Sequence, residues 1–165
     1  MITALIRAGD DPRPLAATIS ALVAGVADGV IGDAVVIAPT RAPALEALVD
    51  AAGAALVIVD DGADPWRAGA RAARRDWLLC LDAGDLPLDG WARALQRFAE
   101  AAPAGAPAIG RLHRRVEGVL PRLAAALAAR RHGPRAGDLV HASHLKPGAR
   151  PRLVRLAATV ARDES

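Results

Sequence analysis

The chain has 165 residues, 53% of them hydrophobic and 24% charged, enough for one globular domain whose core needs neither disulfides nor structural metal. Three Trp, one Phe and no Tyr leave few aromatic faces on which single-stranded nucleic acid could stack, so no nucleic-acid partner is expected. The formal net charge of +3 hides an asymmetry, because residues 1–100 carry 9 Arg against 14 acids while residues 101–165 carry 12 Arg and Lys against 4 acids.

Such an imbalance marks the C-terminal part as a basic face for an anionic partner. The whole chain's pI of 10.3 carries less weight, because 20 of its 21 basic residues are Arg and Asn is absent, a compositional bias. The single cysteine, Cys80, excludes an internal disulfide framework and fits a reducing compartment. It sits in an apolar run and reads as a small buried hydrophobe. The N-terminus MITALIRAGDD turns acidic within ten residues, unlike a signal peptide. No apolar stretch reaches the roughly 18 residues of a membrane span. The expected location is cytoplasmic.

Residues 2–7 (ITALIR) read as a first strand, broken by Gly9-Asp10-Asp11-Pro12. Leu15, Ile19, Leu22, Val23 and Val26 recur at helical spacing and predict a helix ending near Gly29. Residues 34–38 (AVVIA) predict a second strand, closed by Pro39-Thr40, and a helix from Pro43 to Ala52 follows. Residues 54–59 (AALVIV) form a third strand ending in Asp60-Asp61-Gly62. A helix over 65–75 leads into the fourth strand, Trp77-Leu78-Leu79-Cys80-Leu81, which ends abruptly in Asp82 with Asp85 three residues on. Another helix is expected over 89–101, and Ala108-Ile109 would begin an edge strand. Beyond residue 110, a helix is read within 116–131, an irregular Gly/Pro-rich loop over 132–151, and a terminal helix over 152–162 with Leu153, Leu156, Ala157 and Val160 on one face.

Strands alternating with helices at this pitch imply crossover units, hence an α/β fold with a mostly parallel sheet and helices on both faces. The strands are continuous apolar runs, as both-face burial requires. In such sheets ligands gather outside the carboxyl ends of the strands. Asp60, Asp61, Asp82 and Asp85 all fall there. Asp and Gly also make good turns on any surface, so a strand-end turn stands beside a ligand site as the reading of these acids.

The stretch Ala68–Pro87, AGARAARRDWLLCLDAGDLP, resembles a segment of family 2 glycosyltransferases with the GT-A fold. In that family a small-residue helix precedes an apolar strand ending in a D-x-D-type motif and then Pro. The run VIVDDGAD at 57–64 is similar to the family's strand end "VvDDgS", and the order of the first four strands matches. The resemblance spans residues 1–110, read as the nucleotide-sugar-binding core; residues 111–165 read as a basic helical extension of the same domain. It implies a GT-A-like (nucleotide-diphospho-sugar transferase) fold and transfer of a sugar from a nucleoside-diphosphate donor to an unknown acceptor. It further implies Mg²⁺ or Mn²⁺ on Asp82 and Asp85, with donor contacts from Asp60, Asp61 and Asp82. Such a cation would act as a Lewis acid on the departing diphosphate. Gly137-Asp138 lies where some members carry a "GD" pair, which makes Asp138 the candidate general base.

The chain departs from the family pattern in three places. The two acids are spaced Asp82-Ala83-Gly84-Asp85, one residue longer than D-x-D. The second strand ends in Ala38-Pro39-Thr40 without an acid, and the first is followed by Arg7-Ala8-Gly9-Asp10. A non-catalytic relative serving as a binding protein, and a nucleotidyltransferase of similar build, are therefore the rival readings. Three further clusters carry weaker signals. His141 and His144 have metal-compatible spacing, although a solvated loop explains them equally. Arg71, Arg74 and Arg75 could meet phosphate. Arg111, Arg114 and Arg115, with the last helix, would make residues 111–162 a docking face for anionic lipid headgroups.

Overall fold

The computed structural model describes residues 1–102, 108–114, 133–145 and 151–163. Its first half alternates strand and helix: β1 (Ile2–Arg7), α1 (Pro12–Ala27), β2 (Ile31–Ala38), α2 (Pro43–Ala51), β3 (Ala55–Ile58), α3 (Pro65–Ala72) and β4 (Trp77–Asp82). A short β5 (Asp85–Pro87) and α4 (Trp91–Ala101) follow, then β6 (Ala108–Arg114), β7 (Asp138–His141), a 3₁₀ turn (Ala142–Leu145) and β8 (Arg152–Arg162). The helices begin where their caps dictate. Asp11 accepts the Arg13 N–H ahead of α1, and Asp64 accepts those of Trp66 and Arg67 ahead of α3, each with Pro in the first turn.

The eight strands of the described residues join one sheet in the order β3-β2-β1-β4-β7-β6-β8-β5. The pairs β3–β2, β2–β1, β1–β4 and β6–β8 are parallel, whereas β4–β7, β7–β6 and β8–β5 are antiparallel. Only Ala83 and Gly84 separate β4 from β5 in sequence, yet the two are four places apart in the pairing order. The sheet must therefore curl until its last strand returns beneath the end of β4. Gly84 makes that turn at φ +91°, a conformation L side chains rarely adopt.

Alternate residues of the central strands enter two cores. Ala4, Ile6, Leu79 and Leu81 pack with Leu15, Leu22, Leu45, Trp91 and Leu95 of α1, α2 and α4. Leu5, Ile37, Leu78 and Cys80 pack with Trp66 of α3. Helices on both faces explain why these strands show no polar alternation. Packing is close enough that Gly25 of α1 has no room for a side chain: a Cβ there would lie 2.6 Å from Cζ2 of Trp91, itself buried. Gly25→Val should consequently lower stability by about 1–3 kcal/mol through overpacking. A urea midpoint equal to wild type would show that the α1–α4 contact yields freely.

Three expectations change in the C-terminal part. Residues 152–162 form strand β8, not a helix: Ala158 and Val160 are buried while Leu153 is 45% exposed, so the inward face repeats every two residues. Residues 138–145, expected within a loop, supply β7 and the 3₁₀ turn. Ala108-Ile109 does open a strand, but β6 lies inside the sheet between β7 and β8. The described C-terminal segments thus complete the sheet as strands, where a helical extension was expected. The helix read within 116–131 lies outside the described residues.

Candidate functional site

The carboxyl ends of β1, β2, β3 and β4 open onto a cleft of about 640 Å³. Among the described residues five carboxylates line it: Asp10 and Asp11 after β1, Asp60 and Asp61 after β3, and Asp82 at the tip of β4. Arg7 and Arg162 are the two cationic side chains that line it among the described residues. Asp60 and Asp61 sit in an exposed turn that Gly62 completes at φ +91°. Neither makes a side-chain ion pair among the described residues, so both are open to a ligand. Asp10 accepts a hydrogen bond from the Thr40 hydroxyl at 3.2 Å, which joins the loops after β1 and β2.

Asp82 stands opposite Arg7 in the parallel β1–β4 register. Arg7 donates through Nε at 2.9 Å, its terminal nitrogen lies 2.8 Å from the same oxygen, and its guanidinium stacks over Trp66. With its side chain 20% exposed, Asp82 still reaches the cleft.

Asp85 does not accompany it. The turn between them folds Asp85 inward until it is fully buried, where its Oδ2 accepts the Asp82 backbone N–H at 2.8 Å. Arg114 of β6 closes on that oxygen at 2.6 Å, and Arg162 of β8 approaches Oδ1 at 3.5 Å. Burial pushes the Asp85 carboxyl above the ordinary range, although Arg114 and the Asp82 N–H pull the other way. The folded state therefore holds this proton more tightly than the unfolded chain. Its contribution to stability is fullest in acid and is lost as pH rises through the folded pKa. The turn is further pinned to α1, since the Gly84 N–H donates to the buried Thr18 hydroxyl at 2.8 Å and to the Pro14 carbonyl at 2.9 Å.

Asp138 is also fully buried. Arg111 grips both its oxygens, at 2.6 and 2.7 Å, and the Arg135 N–H adds a third bond at 3.1 Å. It lines neither this cleft nor the neighbouring cavity, so the expected base is engaged as a structural ion pair in this state. His141 pairs with Trp77 at the opposite end of β4 from Asp82; the His144 ring lies tilted beside it, its Nδ1 buried without a partner among the described residues and its pKa lowered by burial. Arg74 and Arg75 meet Asp33 at that same far end, and Arg71 ends α3, away from the cleft. Burial raises the Cys80 thiol well above its usual value, as suits a packing residue. Arg111 and Arg114 of the basic cluster turn inward onto carboxylates, while Arg115 lies outside the described residues. No helix among the described residues is long and apolar enough to cross a membrane.

Sequence reading overlooked Arg7, Asp10, Asp11, Arg162 and Thr18 as site residues, and assigned Arg114 to a lipid-facing cluster instead of to Asp85. For Arg7 the signal was present, because parallel neighbours of equal length set it beside Asp82. Arg162 depended on β8 being a strand, and nothing local to it points at Asp85.

For a hard divalent cation the fit is of one kind. Among the described residues no group of three or more His, Cys, Asp or Glu converges, so a closed all-protein cage is absent there. Yet among the described residues five carboxylates face Arg7, Arg162 and Arg13, which holds Asp11, and leave the cleft with an excess of two negative charges. A polyphosphate would be repelled unless a cation came with it, and Mg²⁺ is ordinarily held by one or two carboxylates plus phosphate oxygens. Asp82 can serve as such a ligand; Asp85, closed off by Arg114, cannot without rearrangement.

Solved structures share this architecture. Glucosyl-3-phosphoglycerate synthase from Mycobacterium tuberculosis, in complex with Mg²⁺ and uridine diphosphate, superposes with a TM-score of 0.61 at 16% identity, covering 88% of this chain and 57% of that one. The mannosyltransferase PcManGT from Pyrobaculum calidifontis, with GDP-Man and Mn²⁺, gives 0.59 at 12% identity over 99% and 57%. A nucleotidyl transferase from Methanothermobacter thermautotroptrophicus gives 0.53 at 20% over 95% and 88%. This chain spans a little under three fifths of the length of the two glycosyltransferases. No protein-family model matches it, and no curated protein matches it in sequence. The fold is that of the GT-A glycosyltransferases, an α/β nucleotide-diphospho-sugar transferase fold; identities this low speak to fold alone.

Proposed function

We propose that the chain is a divalent-cation-dependent glycosyltransferase that uses a nucleoside-diphosphate sugar. The carrying observation is the cleft at the strand ends, where Asp82 stands between the acidic turns after β1 and β3 and two arginines. Asp60 and Asp61, exposed and unpaired, accept hydrogen bonds from the donor's ribose or base. Asp82 would hold Mg²⁺ or Mn²⁺ together with the diphosphate oxygens. When bound, the cation stabilises the negative charge that develops on the departing diphosphate. Arg7 and Arg162, both already turned toward Asp82, are placed to follow that charge. Asp138 enters this reading by holding Arg111 in position. The complexes of the two similar glycosyltransferases, one with Mg²⁺ and UDP and one with Mn²⁺ and GDP-Man, support the choice of ligand class.

The similar nucleotidyl transferase favours a second reading, nucleotidyl transfer. That chemistry needs a basic loop to hold a triphosphate, and here the loop after β1 carries Asp10 and Asp11. A non-catalytic relative would bind the nucleotide without turning it over.

Calorimetric titration separates these readings. UDP or GDP should bind the wild type about tenfold or more tightly with Mn²⁺ than with EDTA, and the corresponding sugar nucleotides should bind alike. Asp82→Ala should erase the difference while the protein stays folded. Equal affinity with and without metal would remove the cation from the proposal. Preference for nucleoside triphosphates would favour the second reading, and binding without hydrolysis or transfer would favour the third.

A further inference from the structure

Beside the acidic cleft lies a second cavity, of about 620 Å³, with the opposite character. Arg7, Arg111, Arg114, Arg135 and Arg155 line it, and among the described residues Asp82 is its one lining carboxylate. Three of these arginines are already committed: Arg7 to Asp82, Arg111 to Asp138 and Arg114 to Asp85. Arg135 and Arg155 have no carboxylate within ion-pair distance among the described residues. Among the described residues five arginines against the three carboxylates leave an excess of two positive charges, before Arg162 is counted. Mutual repulsion in a partly sheltered space costs free energy unless an anion enters. Burial first, then the nearby Arg111 and Arg114, depress the Arg135 pKa, against the pull of Asp138. Guanidinium forks match the oxygens of a phosphate better than any other common group.

We propose that this cavity binds a phosphomonoester dianion. Its twofold charge equals the excess, and its oxygens suit Arg135 and Arg155 approaching from β7's leading turn and from β8. Arg7 and Asp82 line both cavities, so a molecule anchored by its phosphate here would present its other end at the tip of β4. Resting on the transferase reading, the phosphorylated molecule is the acceptor; the anion site itself does not depend on that reading.

The test is calorimetric titration of the full chain with inorganic phosphate and with glycerol phosphate, alone and after saturation with Mn²⁺ and UDP or GDP. Both phosphates should bind, and Arg135→Ala and Arg155→Ala should each weaken them about tenfold or more, the loss of one charge-assisted hydrogen bond. Nucleotide affinity should be unchanged in Arg155→Ala, and phosphate should still bind the nucleotide-saturated protein. Phosphate affinity equal in wild type and both variants would overturn the proposal. So would expulsion of phosphate by nucleotide, which would assign these arginines to the donor's own diphosphate. If phosphate binds and no nucleotide does, the anion site stands and the transferase reading falls. Vesicles containing phosphatidate distinguish the source: capture on them, competed by glycerol phosphate, identifies a lipid-borne phosphomonoester, whereas binding confined to the soluble ester identifies a free one.

Discussion

Leu81→Asp should leave the chain unfolded, while Asp82→Ala, one residue further, should melt close to wild type. Leu81 is fully buried in β4, opposite Ile6 of β1, and packs into the core under α1 and α4. Removing its side chain alone would cost about 2–5 kcal/mol. The carboxylate put in its place would sit in a cluster of buried apolar side chains, and an unpaired ion so buried costs several kcal/mol more. Together these consume most of the roughly 5–15 kcal/mol by which a domain is ordinarily stable. Asp82 differs because the sheet has ended. Its partner Arg7 is half exposed, and a pair of that kind contributes about 0–1 kcal/mol. Circular dichroism and urea titration of the two variants read the contrast directly. A folded Leu81→Asp, or an unfolded Asp82→Ala, would mean that the boundary between core and cleft lies elsewhere on the strand.

That boundary was visible in the amino-acid sequence. Strands β1 to β4 are continuous apolar runs because helices cover both faces, and each run stops where water begins. The acids of the third and fourth strand ends therefore announced the cleft, whereas Asp10 and Asp11 after the first read only as a break in the chain. Strand β8 was misread for a reason equally physical. In RLVRLAATVAR the spacing of Leu153, Leu156, Ala157 and Val160 satisfies a helical stripe. Val154, Leu156, Ala158 and Val160 satisfy a strand just as well. Pairing with β6 and β5 decides between them, and both partners lie far away along the chain. The fate of Asp85 was hidden for the same reason. Whether it faces the cleft or the interior is set by Arg114 and Arg162, 29 and 77 residues further on. Local chemistry could place an acid after the turn, but could not say which way it would point.

The same long-range logic governs Asp138, where the last expected result is a loss of stability. Asp138→Ala should cost about 3–5 kcal/mol, because it strands Arg111, only 12% exposed, beside the interior without its bidentate partner. For a domain of this size that lowers the melting temperature by roughly 6–20 °C. Asp138→Asn should fall between, keeping an acceptor for the Arg135 N–H while losing the second fork contact. A free general base would behave otherwise, with activity gone and stability untouched. The double variant Arg111→Met/Asp138→Leu sharpens the distinction, since replacing both members of a buried pair with apolar groups of similar volume is often neutral or stabilising. It should recover most of the lost stability yet bind inorganic phosphate more weakly than wild type, because one of the guanidinium groups lining the basic cavity is gone. Wild-type melting in Asp138→Ala together with abolished sugar transfer would instead restore Asp138 as the base, and would require the Arg111 pair to open during the reaction.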